Sequence, residues 1–181
     1  MLKAPVAGRV KTRLARDIGV IEATWWFRHQ TARLLRRLRD PRWEIVLAIA
    51  PDRMLGARFW PADLARVPQG DGDLGARMAR LLHLPHDGPV CLIGGDIPGV
   101  RKAHVARAFR AVRGAEAVFG PAEDGGFWLV GLRHAGRAPA GLFRDVRWSG
   151  PHALSDSRAT LRGRRVVLAD RLADVDRAAD L

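Results

Sequence analysis

The sequence predicts an α/β fold. Helical and strand-like segments alternate along the chain. The strand candidates are short aliphatic runs of the buried kind, and Pro or Gly punctuates their ends. Residues 19–39 read as a helix, with Ile21, Trp25, Leu34, Leu35 and Leu38 placed on one broad face. Asp40-Pro41 ends it. Residues 43–50 form an aliphatic strand stopped by Pro51. Residues 73–84 read as a helix capped by Asp73 and closed by Pro85. Residues 90–93 are a short buried strand that delivers Asp96 beyond its carboxyl end. A basic helix follows over 101–112, then strands over 115–119 and 127–132 around a Gly-rich turn. Residues 133–145 are loop-like, 151–161 helical, and 165–168 a last strand. At the start there is almost no room for a first strand: either the chain begins late, or Met1 to Lys3 is the stub of that strand.

The chain has 181 residues, which fits one domain over 1–181. Hydrophobic residues make up 48%, enough for a core and too many for a disordered chain. Cys91 is the single cysteine, so a disulfide-stapled secreted fold is excluded, and its place mid-strand predicts an inert core thiol. No apolar run approaches the roughly 20 residues of a membrane helix, and Met1 to Pro5 lack a signal peptide's apolar stretch. These features predict a reduced, cytoplasmic protein that does not insert into membranes. The formal net charge is +12, and only Lys3, Lys11 and Lys102 are lysines. Such charge attracts anions, although arginines spread along the whole chain also fit a compositional habit. No nucleic-acid motif occurs, and the aromatics do not interleave with basic residues, which argues against nucleic acid as a partner.

Five segments carry candidate chemistry. Lys3-Ala-Pro-Val-Ala-Gly-Arg-Val-Lys-Thr-Arg-Leu14 alternates Arg9, Lys11 and Arg13 after Gly8 and adds the Thr12 hydroxyl. Running into a helix, it could grip a diphosphate; a basic solvated loop is the plainer reading. It lacks the Gly-Lys-Ser/Thr ending of a Walker loop. In Ile93-Gly-Gly-Asp-Ile-Pro98, Gly94 and Gly95 would leave room for a ligand. Asp96 could then bind Mg²⁺ or Mn²⁺, or merely cap the next turn. In Gly120-Pro-Ala-Glu-Asp-Gly-Gly-Phe127, Asp124 could be a metal ligand or, with Glu123, a general base. A tight turn of the Asp-Gly type explains the same residues. Gln69-Gly-Asp-Gly-Asp-Leu-Gly-Ala-Arg-Met78 offers Gln69, Asp71 and Asp73 to a base, ribose or sugar, with helix capping explaining Asp73 alone. In the tail, Asp174 and Asp176 could lock a loop or hold a metal; a solvated acidic tail is the default. His83 and His86 have no third ligand in local spacing for zinc.

Taken in order, these blocks, with Trp148-Ser149 and Asp174-Val-Asp176, resemble a family of small bacterial transferases. It is the former domain of unknown function 2064, which includes transferase 1 associated with radical-SAM and selenodomain proteins. The resemblance spans nearly the whole chain. It implies a single-domain, glycosyltransferase-A-like fold. This is a three-layer nucleotide-diphospho-sugar transferase sandwich with a mainly parallel sheet, here with its first strand truncated. It also implies kinship with the guanylyltransferases that act on 2-phospho-lactate and molybdenum cofactor. By that likeness Gly8, Arg9, Lys11, Thr12 and Arg13 hold nucleotide phosphates, and Gln69, Asp71 and Asp73 serve the nucleotide. Asp96 and Asp124 serve Mg²⁺ or Mn²⁺, and Asp124 or Glu123 takes the acceptor's proton. The chain departs from the family pattern at Gly95, Phe127, Gly150 and Arg177, where Ser, Tyr, Thr and Thr are usual.

The expected activity is therefore metal-dependent glycosyl transfer from a nucleotide-diphospho-sugar to a small acceptor. The alternative within the same fold is a nucleotidyltransferase that joins an NTP to a phosphorylated acid and releases pyrophosphate. From another class, the alternative is a basic nucleic-acid-binding or catalytically inactive module.

Overall fold

The computed structural model describes residues 1–173 and 175–180, and these form two compact units. The first comprises 1–70, 94–102 and 175–180; the second comprises 71–93 and 103–173. Asp174, half of the acidic pair predicted in the tail, lies outside the described residues.

In the first unit, β1 (Leu2–Lys3), α1 (Thr12–Ile18), α2 (Val20–Leu38), β2 (Val46–Ala50) and β3 (Ala65–Pro68) follow one another. The strands pair in parallel in the order β1-β2-β3, with Leu2 opposite Ile49 and Leu47 opposite Arg66. The first strand is thus the two-residue stub that the sequence allowed. Leu2, Ala4, Leu47, Ile49 and Trp60 form a core with Leu35 of α2. Buried Gln69 extends the strand pairing, its side-chain amide donating to Leu2 O at 3.0 Å and Ala48 O at 2.9 Å. β3 is not legible in the sequence because Ala-Arg-Val-Pro is too short to show a period and ends in a proline, which its outer position tolerates.

The predicted apolar face of the long helix needs correction. Leu34, Leu35 and Leu38 are buried, but Ile21 and Trp25 are 68% and 63% exposed. The buried stripe runs instead through Ala23, Phe27, Gln30, Thr31 and Leu34. At 100° per residue, Ile21 and Trp25 fall opposite Ala23. A short helix, α1, also precedes it, and Gly19 separates the two.

In the second unit, α3 (Leu74–Leu82), β4 (Val90–Ile93), α4 (Lys102–Arg113), β5 (Ala117–Pro121), β6 (Phe127–Leu132), α5 (Ala153–Ala159) and β7 (Val166–Leu168) build a sheet of order β4-β6-β5-β7. β6 is antiparallel to both neighbours, while β5 and β7 are parallel. Among the described residues three of the five strand pairings are therefore parallel, which keeps the fold in the predicted mainly parallel α/β class. Asp73 caps α3 as expected, accepting the Ala76 N–H at 2.8 Å. Trp128, Leu129, Val130, Val118 and Phe119 are almost wholly buried. Burial pushes the Cys91 thiol up to about 12, which leaves little thiolate at neutral pH.

Candidate functional site

After β1 the chain makes two tight turns, with Val6 N–H donating to Ala4 O at 2.8 Å and Arg9 N–H to Val6 O at 2.9 Å. Gly8 closes the second of them at φ 71°, and a Cβ there would meet nothing within 4 Å. Its requirement is conformational rather than steric. Gly8→Ala is expected to cost about 1–2 kcal/mol, the left-handed penalty of an L-residue. Urea unfolding measures this, and an unchanged midpoint would show that the turn relaxes freely.

Buried Val10 anchors the turn, and Lys11 opens α1 at φ 46°. A non-glycine residue in this region needs compensation from its surroundings. The compensation is electrostatic. Lys11 Nζ donates to Asp96 Oδ2 at 2.8 Å and to Asp176 Oδ1 at 3.0 Å, with its side chain only 6% exposed. Arg13 Nη1 donates to the other oxygen of Asp176 at 2.8 Å. The cationic turn, the loop carrying Asp96 and the chain's end therefore meet within the first unit. Burial pulls the Lys11 ammonium down, but Asp96 and then Asp176 outweigh it and hold it above its ordinary range. Burial pushes Asp176 up, and Lys11 and Arg13 overcome it, leaving that carboxyl below its usual range. Arg9 and Thr12 are exposed beside them.

The tail is not a merely solvated acidic segment, as its default reading held. Val175 is buried with Leu14 and Ala23. Asp17 accepts the Ala178 N–H at 3.0 Å, and Asp180 accepts the N–H groups of Asp176 and Arg177. Loop locking, the minor reading, describes Asp176. The repetition of Asp at 174, 176 and 180 was the only local signal for it.

The room expected at Gly95 is also filled from within. A Cβ there would lie 2.2 Å from Leu2 Cδ2, so this glycine admits β1 rather than a ligand. Asp96, about a third exposed, keeps access to solvent. Its carboxylate and that of Asp176 already place oxygens within 3.0 Å of a single cation, the Lys11 ammonium. Two carboxylates from separate segments suit a hard divalent ion that takes its remaining ligands from phosphate and water. No group of three His, Cys, Asp or Glu able to hold a metal occurs among the described residues.

The other predicted residues belong to different surroundings. Gln69 is in the first unit, but its amide is spent on the backbone carbonyls of Leu2 and Ala48. In the second unit, Asp71 is exposed and its carbonyl accepts Arg80 Nη2, while Asp73 caps α3. Glu123 and Asp124 are exposed in the β5–β6 turn, where Asp124 Oδ1 accepts the Gly126 N–H at 2.8 Å. Asp124 thus makes the tight turn that its sequence suggested, with its second oxygen left for other chemistry. Phe127 follows it and packs near Phe119, Phe143 and Trp148, with ring centroids 5.1–6.3 Å away. Among the described residues no helix is long and apolar enough to cross a membrane.

Known proteins resemble this fold. A Desulfovibrio desulfuricans G20 protein, provisionally described as a nucleotide-diphospho-sugar transferase, is 26% identical with a TM-score of 0.84. The likeness covers 97% of this chain and 80% of that one, and the two share the α/β fold. A homologue of Mycobacterium tuberculosis Rv0371c, from Mycobacterium sp. strain JC1, is 21% identical over 85% of this chain and 78% of its own. Its TM-score of 0.50 speaks to the fold alone. No curated protein sequence matches the chain significantly. Residues 33–150 match the profile of DUF2064, described as an uncharacterized protein conserved in bacteria, and the chain belongs to that family.

Proposed function

We propose that the chain is a Mg²⁺- or Mn²⁺-dependent transferase that takes a glycosyl group from a nucleotide-diphospho-sugar and passes it to a small hydroxyl acceptor. We place it in the narrower group of transferase 1 proteins associated with radical-SAM and selenodomain proteins, as the motifs suggest. The observation that carries the reading is the convergence of Lys11, Arg13, Asp96 and Asp176. It joins a cationic phosphate grip to carboxylates that suit a divalent ion. The description of the Desulfovibrio desulfuricans protein supports the donor class.

Arg9, Lys11 and Arg13 bind the diphosphate and neutralise charge as the bond from the sugar's anomeric carbon to the diphosphate oxygen breaks. The anomeric carbon bonds to the acceptor oxygen, and the acceptor's proton passes to a carboxylate or to solvent. Asp96 with Asp176 would hold the divalent ion, which supplies further neutralisation of the leaving diphosphate. The Lys11 ammonium then turns from the carboxylates to the phosphates.

A thermal-shift panel of nucleotide-sugars and NTPs, with and without Mn²⁺, tests the reading. A nucleotide-sugar is expected to raise the melting temperature in a Mn²⁺-dependent way, and Asp96→Ala to abolish the Mn²⁺-dependent part. Unchanged affinity of Asp96→Ala in the presence of Mn²⁺ would sink the metal assignment. Stabilisation by an NTP alone would favour nucleotidyl transfer instead.

A further inference from the structure

The loop that carries Asp96 has little regular structure to hold it. Between β4 and α4 it makes one turn, closed by Val100 N–H on Ile97 O at 3.3 Å. Ile97 and Val100 are buried at 3% and 0% exposure, which fixes where the loop's apolar side sits. Apolar contact does not fix its carbonyls, and a buried carbonyl needs a donor. Arg37, in the last turn of α2, supplies one. Its Nη1 donates to Pro98 O and, at 3.0 Å, to Val100 O. On the near side of Asp96, the Val175 N–H lies 3.4 Å from Asp96 O. The loop's carbonyls at 96, 98 and 100 are thus taken in alternation, the last two by one guanidinium. All of these groups lie in the first unit.

We infer that Arg37 is a positioning residue for Asp96: by clamping the Pro98 and Val100 carbonyls to α2, it sets where the Asp96 carboxylate stands relative to Lys11. The inference rests on the transferase reading in one respect, that Asp96 serves a divalent ion. Arg37 itself touches none of the groups that would bind phosphate. A guanidinium suits the task because it is planar and always charged, and the hydrogens on its Nη1 lie in fixed directions. A lysine ammonium rotates freely at the end of a flexible stem and holds such a pair of carbonyls less rigidly.

The experiment compares wild type, Arg37→Met and Arg37→Lys in three measurements. The first is calorimetric affinity for inorganic pyrophosphate with Mn²⁺, the second the same without metal. The third is hydrogen exchange of the peptide covering residues 94–101. In Arg37→Met, the Mn²⁺-dependent gain in affinity is expected to fall about tenfold. Metal-free affinity, carried by Arg9, Lys11 and Arg13, is expected to stay within about twofold or to tighten. Exchange over 94–101 is expected to accelerate, with Arg37→Lys intermediate in both respects. A merely structural role would depress both affinities together with the melting temperature, and that result overturns the inference. So does unchanged exchange in Arg37→Met. If wild type binds pyrophosphate in neither condition, the transferase reading fails by itself. The exchange measurement then still decides whether Arg37 holds the loop.

Discussion

Lys11→Met is expected to lower the melting temperature by roughly 4–12 °C and to remove diphosphate binding. Methionine keeps most of the apolar stem but brings no charge, so Asp96 and Asp176 lose the ammonium that sits 2.8 and 3.0 Å from them. Breaking a buried ion pair typically costs about 3–5 kcal/mol, because the orphaned charge remains behind. Both carboxylates are about a third exposed, so water absorbs part of the loss and about 2–3 kcal/mol remains. In a chain of this size each kcal/mol moves the midpoint by roughly 2–4 °C. The left-handed backbone at residue 11 also stays, now without the bonds that held it. The deficit should depend on pH. Lys11 is held above its ordinary 10.5, so its contribution is complete below pH 10.5 and fades as pH rises through the higher folded value. Asp176 is held below its ordinary 3.8, so its share persists above that pH and fades as acid protonates it. Paired melting curves of wild type and variant across pH 3–11 check this. A difference that stays constant at the acid end as well as the alkaline one would show that the deficit does not come from the ion pairs.

Gly125→Ala is expected to do comparable damage for another reason. Gly125 sits at φ 86°, where an L-residue pays about 1–2 kcal/mol. A Cβ there would also lie 2.5 Å from Pro151 Cα and Pro151 O and 2.7 Å from its carbonyl carbon. These are backbone atoms, which cannot rotate away as a side-chain tip can. Overpacking of this kind adds about 1–3 kcal/mol, for a total of roughly 2–5 kcal/mol. Gly125 O also accepts the Leu154 N–H at 3.0 Å, so a shift of the turn costs a bond near the start of α5. Denaturant unfolding measures the loss. A value no larger than that of Gly8→Ala, where the space is open, would show that the Pro151 contact yields.

What could be read from the chain alone was local. Asp73 caps α3 because an Asp side chain reaches an N–H three residues on, whatever surrounds it. Residues 90–93 and 127–132 were read as strands at their observed limits, since short apolar runs between breakers are visible without partners. The Asp124 turn was legible for the same reason. The α2 face was misjudged near its start because the helix offers two apolar stripes there, and only packing chooses between Ala23–Phe27 and Ile21–Trp25.

The candidate site is a different matter, because its bonds join residues 85 and 165 positions apart. Its residue types were recognisable, and the cationic turn and Asp96 were paired on family likeness. The weight of Asp176 was not recognisable, since an isolated acidic tail looks the same whether it is solvated or locked. Nor was the reason for Gly95, whose missing Cβ is required by Leu2 from the far end of the sequence. Composition and periodicity determined an α/β chain rich in cations. Tertiary structure decided which carboxylates those cations meet, because ion pairing and steric fit act between neighbours in space and leave no trace in the order of residues.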